Sequence, residues 1–387
     1  LDQEKSSQAL SQHPEHLDED VSVTDEAYRS MEETLVDIGK EGRGITIMNE
    51  LRPYYLKNAV ISYKDLKAER AANTWAQKDD TQETKDNFKK YVKDVKRSVN
   101  FAVKEFEQRK AAYRYTRATT AKTGRLDVNK LWSYKTSEDI FSQVTTLADA
   151  KNHGMIMLVD YSGSMCTSMP YVMDQLLHMI HFCKAINIPF DVYGFTTSNT
   201  AFSYDCPEYI SQLQDGDMDM SDLSMPLVCS SSLSKKDFND AIFHMYGRQK
   251  QSYWERGDRA GLGKSEEYGS TPLDQALVVS HHLVKEFKAK HRVEKLTFAA
   301  FSDGDSNFLN VVHTQEMQQH KINQGSKTFT RDKTAIIQGK KVPLNHYRST
   351  DDLLKNISKM TGVKTMGFFM ADDSGHWASR ISRLAST

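Results

Sequence analysis

Six consecutive apolar residues, Gly154-Met155-Ile156-Met157-Leu158-Val159, run directly into an aspartate. A strand with no alternating polar positions cannot leave one face in water, so it needs apolar cover on both. That is the mark of an interior strand in a parallel sheet, and few folds accommodate it. The rest of the C-terminal half agrees. Residues 169–186 read as a helix and 189–195 as a strand. Ser234-Lys235-Lys236-Asp237 resembles a capping box opening a helix that reaches Tyr246, and Pro272 stands near the first position of a helix over 272–290. A strand over 293–301, a helix over 350–360 and a strand over 363–369 complete the series. This alternation predicts an α/β fold: a doubly wound, mostly parallel sheet with helices on both faces.

Upstream the composition differs. Residues 1–22 are polar and acidic, which predicts a disordered tail. Residues 23–150 predict an α-helical N-terminal region, helical from Thr24 to about Tyr115, followed by a connector from 118 with a turn-like break at 121–125. Phe88, Val92, Val95, Val99, Ala102 and Phe106 recur at steps of three and four, forming one helical face over 84–117. Its other face is basic (Lys89, Lys90, Lys93, Lys96, Arg97), whereas 14–37 is acidic. A solvated helical surface is the simpler reading of such a charge run, and a docking arm for an acidic partner the sharper one. Residues 151–387 then form the α/β domain, with inserts at 205–269 and 305–347. Inserts of this length are functional or disordered.

The charge balance, 51 Lys and Arg against 52 Asp and Glu, gives no footprint for nucleic acid or a membrane surface. No run approaches the roughly 18 apolar residues of a transmembrane helix. The chain opens at Leu1 with no basic-then-apolar leader, which points to a processed or trimmed chain without a signal peptide. The four cysteines, Cys166, Cys183, Cys206 and Cys229, form no Cys-x-x-Cys pair, so free thiols in a cytoplasmic setting are expected.

Open α/β sheets bind ligands at the carboxyl ends of their strands. Asp160 stands at such an end, and Asp160-Tyr161-Ser162-Gly163-Ser164 follows it. Alternate residues of the loop can converge, so Asp160, Ser162 and Ser164 offer a carboxylate and two hydroxyls. These hard oxygens suit Mg²⁺, Mn²⁺ or Ca²⁺ rather than zinc. Two further donors are expected. Thr271 precedes the helix over 272–290, and Asp303 follows the strand Leu296-Thr297-Phe298-Ala299-Ala300-Phe301.

Asp-x-Ser-x-Ser, then Thr, then Asp, on a β/α background, resembles the von Willebrand factor A (VWA) family and its metal-ion-dependent adhesion site. The resemblance implies that Asp160, Ser162, Ser164, Thr271 and Asp303 hold the ion, with one position left for a partner's carboxylate. Gly124-Arg125-Leu126-Asp127 with Leu131, Leu158 to Met165, and Gly194-Phe195-Thr196-Thr197 are similar to the cobalt chelatase CobT-subunit family over roughly 120–200. Members of that family act beside a hexameric AAA+ ATPase, and large tailed phages encode CobT-like proteins. Residues 205–269, 305–347 and the helices of 24–117 do not follow the chelatase pattern. The resemblance therefore implies a non-catalytic adaptor docking on a MoxR/CobS-like AAA+ ring, in a host cytoplasm if phage-encoded. The alternative is a subunit of a cobalt or magnesium chelatase-like enzyme inserting metal into a tetrapyrrole.

Other features carry less. His178 and His181, or His281 and His282, are conceivable ligands but simpler as structural histidines. Gly261-Leu262-Gly263-Lys264-Ser265 resembles part of a P-loop but lacks the first glycine and a preceding strand. Asp215, Asp217, Asp219 and Asp222 lack the Gly and Glu of an EF-hand and read as a solvated insert.

Overall fold

The apolar run forms an interior strand. In the computed structural model, which describes residues 46–73, 82–116, 119–126, 141–146, 152–199, 203–250, 262–303, 306–307, 309–312, 332–345 and 349–370, His153–Asp160 (β5) lies between Phe190–Thr197 (β6) and Lys295–Ser302 (β8), parallel to both. Lys364–Phe369 (β11) adds in parallel beyond β8. Leu223–Ser230 (β7) pairs antiparallel with β6 and carries Val60–Ile61 (β2) in parallel on its far side. The result is a six-stranded, mostly parallel sheet in the order β11-β8-β5-β6-β7-β2.

Both faces are covered, as the unbroken apolar strand demands. Ile156 and Leu158 of β5 belong to one buried cluster; the intervening Met157 and Val159 belong to another. Because successive strand residues point to opposite faces, the two clusters lie on opposite sides of the sheet. Over the Met157 face pack Met169–Ala185 (α4) and Lys235–Lys250 (α6). Ser234 caps α6 as the capping box predicts, its Oγ accepting the Asp237 N–H at 3.1 Å. Outside them runs the long helix Gln82–Thr116 (α3). Phe88 meets Phe243 and Tyr246, Phe106 meets Phe182, and Val95 and Val99 are buried. The predicted helical face thus holds, except that Ala102 is exposed.

Over the other face lies Leu273–His291 (α7). Its apolar residues are buried almost all round, because a second layer covers it. That layer comprises Ser349–Thr361 (α8) and a small sheet of Thr46–Met48 (β1), Asp332–Ile337 (β9) and Lys340–Asn345 (β10). Asp274 in the first turn of α7 ties the layers together: it accepts from Thr350 Oγ1 at 2.6 Å and from Ser349 Oγ.

Several expectations need correction. The N-terminal region is not wholly helical. Pro53–Ala59 (α1) and Tyr63–Ala72 (α2) are short helices, and β1 and β2 are strands, too brief for periodicity to reveal. The turn-like stretch at 121–125 lies in Thr119–Leu126 (β3), which pairs antiparallel with Phe141–Thr146 (β4); the register breaks between Lys122 and Leu126. The polar insert 205–232 contains the short helix Pro207–Gln212 (α5) and the buried strand β7. Pro226 demotes β7 as a strand in the sequence; its pairing with β6 also shifts register at Val228, between Val192↔Cys229 and Tyr193↔Leu227. The acidic stretch is not simply solvated either: Asp217 is buried, accepting from Tyr55 Oη at 2.7 Å and Arg52 Nη2 at 2.5 Å. The expected tail 1–22 lies outside the described residues.

Candidate functional site

The carboxyl ends of β5, β6 and β8 lie side by side because the three strands are parallel and in register. β5 ends at Asp160, which is fully buried. Its Oδ1 accepts the Ser162 backbone N–H at 2.8 Å and its Oδ2 accepts the Ser302 hydroxyl at 2.7 Å. Ser162 then begins a short 3₁₀ turn, Gly163–Cys166, which brings the Ser162 and Ser164 hydroxyl oxygens to 3.0 Å of each other. Ser162 is buried and Ser164 exposed, so the pair leads from the interior to the surface.

A second segment is laced onto this loop. Gly163 N–H donates to the Gly269 carbonyl at 2.8 Å, and Gly269 N–H to the Tyr161 carbonyl at 3.3 Å. Ser270 N–H donates to Thr197 Oγ1 at 2.7 Å, and Thr196 Oγ1 to the Glu267 carbonyl at 3.0 Å. Glycine is required at 269, since a Cβ there would lie 2.6 Å from Thr197 Oγ1 and 2.9 Å from the Thr197 carbonyl oxygen. Two residues on, Thr271 is buried just ahead of α7. Asp303, one residue beyond β8, is also buried, and its Oδ1 has no hydrogen-bond partner among the described residues. Asp160, Ser162, Ser164, Thr271 and Asp303 therefore all stand at one end of the sheet.

The electrostatics are those of a carboxylate held out of water. Burial pushes the Asp160 carboxyl up to about 7; the Ser302 and Ser162 hydrogen bonds oppose the rise, and the Asp303 charge adds to it. No group of three or more His, Cys, Asp and Glu side chains among the described residues is arranged to hold a metal ion. The donor set here is different: two carboxylates with hydroxyls, all hard oxygens.

Other residues support the loop from behind, and the sequence gives little hint of them. α2 contributes Arg70, whose Nε and Nη2 donate to Glu266 Oε2 and Oε1 at 2.8 and 2.6 Å. Glu69 accepts from Ser265 Oγ at 2.6 Å and from Ser265 N–H at 2.9 Å. Arg248 of α6 donates from Nη1 and Nη2 to the Glu266 carbonyl at 3.1 and 3.2 Å. Its guanidinium also lies 3.6 Å from the Tyr161 ring centroid and 4.7 Å from that of Tyr268. Within the stretch that partly resembles a P-loop, Lys264–Glu266 is a 3₁₀ turn held by Glu69 and Arg70 of α2.

His281 and His178 fit structural roles. His281 Nδ1 bonds the Leu277 carbonyl at 2.9 Å and its Nε2 bonds Asn356 Oδ1 at 3.1 Å, so both ring nitrogens are engaged. His178 Nδ1 bonds the Asp174 carbonyl at 2.9 Å. Burial, with the Lys96 charge adding, pushes His181 down to about 4. All four cysteines are free thiols. Among the described residues no helix is long and apolar enough to cross a membrane.

No family profile and no curated protein sequence matches the chain. Among solved structures it is similar to the pilus adhesin SpaC of Lactobacillus rhamnosus GG in its open conformation. The identity is 14% and the TM-score 0.32, over 59% of this chain and 25% of the adhesin, so the chain spans only about a quarter of that structure's length.

Proposed function

We propose that this chain is a VWA-type, CobT-like adaptor that binds a divalent cation at Asp160, Ser162, Ser164, Thr271 and Asp303. On this reading the sheet is the doubly wound VWA sheet. The carrying observation is the assembly itself: three separated sequence segments bring two carboxylates and three hydroxyl residues to one end of a parallel sheet. A buried carboxylate pair without a cation is costly, and a divalent ion compensates it. The Asp303 Oδ1, without a partner among the described residues, and the raised Asp160 carboxyl both fit a cation at this place. Oxygen donors and the lack of His or Cys in the set favour Mg²⁺, with Mn²⁺ or Ca²⁺ as chemical equivalents. When bound, the ion supplies an acceptor for a partner's carboxylate, and exposed Ser164 marks the side from which that group arrives.

The partner class follows from the resemblance over 120–200: a MoxR/CobS-like AAA+ ATPase ring presenting an acidic residue. Nothing in this role requires the chain to break a bond. The test is capture of such an ATPase by the wild-type chain and by Asp160→Ala and Ser164→Ala, in Mg²⁺ and in EDTA. Binding that needs Mg²⁺ and both residues supports the adaptor; equal capture by all forms in EDTA overturns it.

A further inference from the structure

Thr271 is five residues beyond Glu266, and the chain between them has little freedom. Glu267, Gly269 and Ser270 are each pinned to β6 or to the loop after β5, and Gly269 has no room to move toward Thr197. The segment is therefore held at two places, by these contacts close to Thr271 and by a second seat where it begins, at residues 262–266. That seat is made by α2. Besides the Glu69 and Arg70 contacts, Asn73 Nδ2 donates to the Leu262 carbonyl at 2.8 Å. α2 is itself tied to α6, through Tyr63 Oη to the Asp237 carbonyl at 3.0 Å and Lys67 Nζ to Asp237 Oδ1 at 2.7 Å. From α6, Arg248 reaches both Glu266 and the face of Tyr161, the residue between Asp160 and Ser162. One buried strut thus touches both halves of the site: the segment leading to Thr271 and the loop that starts at Asp160.

We propose that Arg70, Glu266 and Arg248 are positioning residues for the cation, so that affinity at Asp160, Ser162 and Thr271 depends on α2 being docked against residues 262–266. This inference rests on reading the loop as a cation site and adds how that site is regulated: whatever displaces α2 loosens the ion. The physical basis is tolerance. Ligand oxygens must be held to within about 0.5 Å, and groups that orient ligands are worth about tenfold to a hundredfold in metal affinity. Arg248 acts through two guanidinium nitrogens on the Glu266 carbonyl and through its close approach to the Tyr161 ring, a combination lysine cannot reproduce.

The test is titration of Mn²⁺ into the full chain, followed by the loss of its free electron-spin-resonance signal, well below each variant's melting midpoint. Under those conditions a variant that is merely less stable still binds with wild-type affinity, because nearly all of it is folded. Arg70→Met and Arg248→Lys are expected to weaken Mn²⁺ by about tenfold or more. Arg52→Met breaks another ion pair, between the half-buried Arg52 and the buried Asp217, among residues clustered on the opposite face of the sheet. It is expected to lower stability but leave Mn²⁺ affinity within about twofold, as for an independent site. Should Arg70→Met not fold, Arg248→Lys carries the test alone. Wild-type affinity in both Arg70→Met and Arg248→Lys overturns the positioning role while the cation site stands. Failure of the wild type to bind Mn²⁺ in a manner sensitive to Asp160→Asn overturns both.

Discussion

Arg70→Met removes a guanidinium from the interior while keeping most of the side chain's bulk. Both partners of the pair are buried, and Glu266 accepts from Arg70 through both carboxylate oxygens. Burial alone would raise the Glu266 carboxyl. The Arg70 charge and hydrogen bonds, with Arg248 and the Gly263 N–H adding, instead hold it down at about 2. The gap between that value and the ordinary 4.5 corresponds to about 3 kcal/mol. Stranding one charge of a buried pair costs about 3–5 kcal/mol. The sign in pH follows. In the wild type the folded value lies below the unfolded one, so this stability is present above 4.5 and lost as the pH falls toward 2. In the variant burial dominates, the carboxyl rises above its ordinary value, and acid relieves the stranded charge instead of removing a favourable one. Urea unfolding followed by circular dichroism should show Arg70→Met about 3–5 kcal/mol less stable near neutral pH, with the gap narrowing by about pH 4. Arg70→Met/Glu266→Leu should recover most of the loss, because an apolar pair needs no compensation. A cost below about 1 kcal/mol, or a gap that widens in acid, would refute the reasoning.

Two further predictions address the site and the core. Gly269→Ala drives a methyl group against the end of β6 and should cost about 1–3 kcal/mol by thermal or urea denaturation; a neutral result would mean that the segment is not held against Thr197 as described. Burial pushes the thiols of Cys183 and Cys229 up to about 12, so in mildly alkaline buffer iodoacetamide should modify the half-buried Cys206 well before them. Mass spectrometry of the labelled peptides checks this, and equal rates for the three cysteines in the native state would contradict the packing.

What the sequence reveals and what it hides divide along physical lines. β5 and β8 carry apolar runs because helices cover both faces of the sheet, so their carboxyl ends, and with them Asp160 and Asp303, can be read directly. Thr271 is legible because a proline and a helical pattern follow it. β7 is not, since it runs antiparallel and contains Pro226, and polar residues flank it. β2 is only two residues long and exists because β7 offers it an edge. Ser302, which donates to Asp160, is visible as a strand end but not as a partner. The supporting pair is the hardest case: Arg70 and Glu266 are 196 positions apart, and each looks like an ordinary surface charge until the fold buries both. Local pattern reports strand ends and helix starts; long-range ion pairs leave no periodic trace.

The central claim is that the buried carboxylates at the end of the sheet exist to hold a divalent cation. Isothermal titration of Mg²⁺ into the metal-stripped full chain tests it most directly, with Asp160→Asn and Ser164→Ala measured alongside. A single saturable site is expected in the wild type, abolished by Asp160→Asn and weakened by Ser164→Ala, with Mg²⁺ raising the melting temperature of the wild type, raising that of Ser164→Ala less and leaving that of Asp160→Asn unchanged. No saturable heat in the wild type, or the same heat and stabilisation in Asp160→Asn, would contradict it.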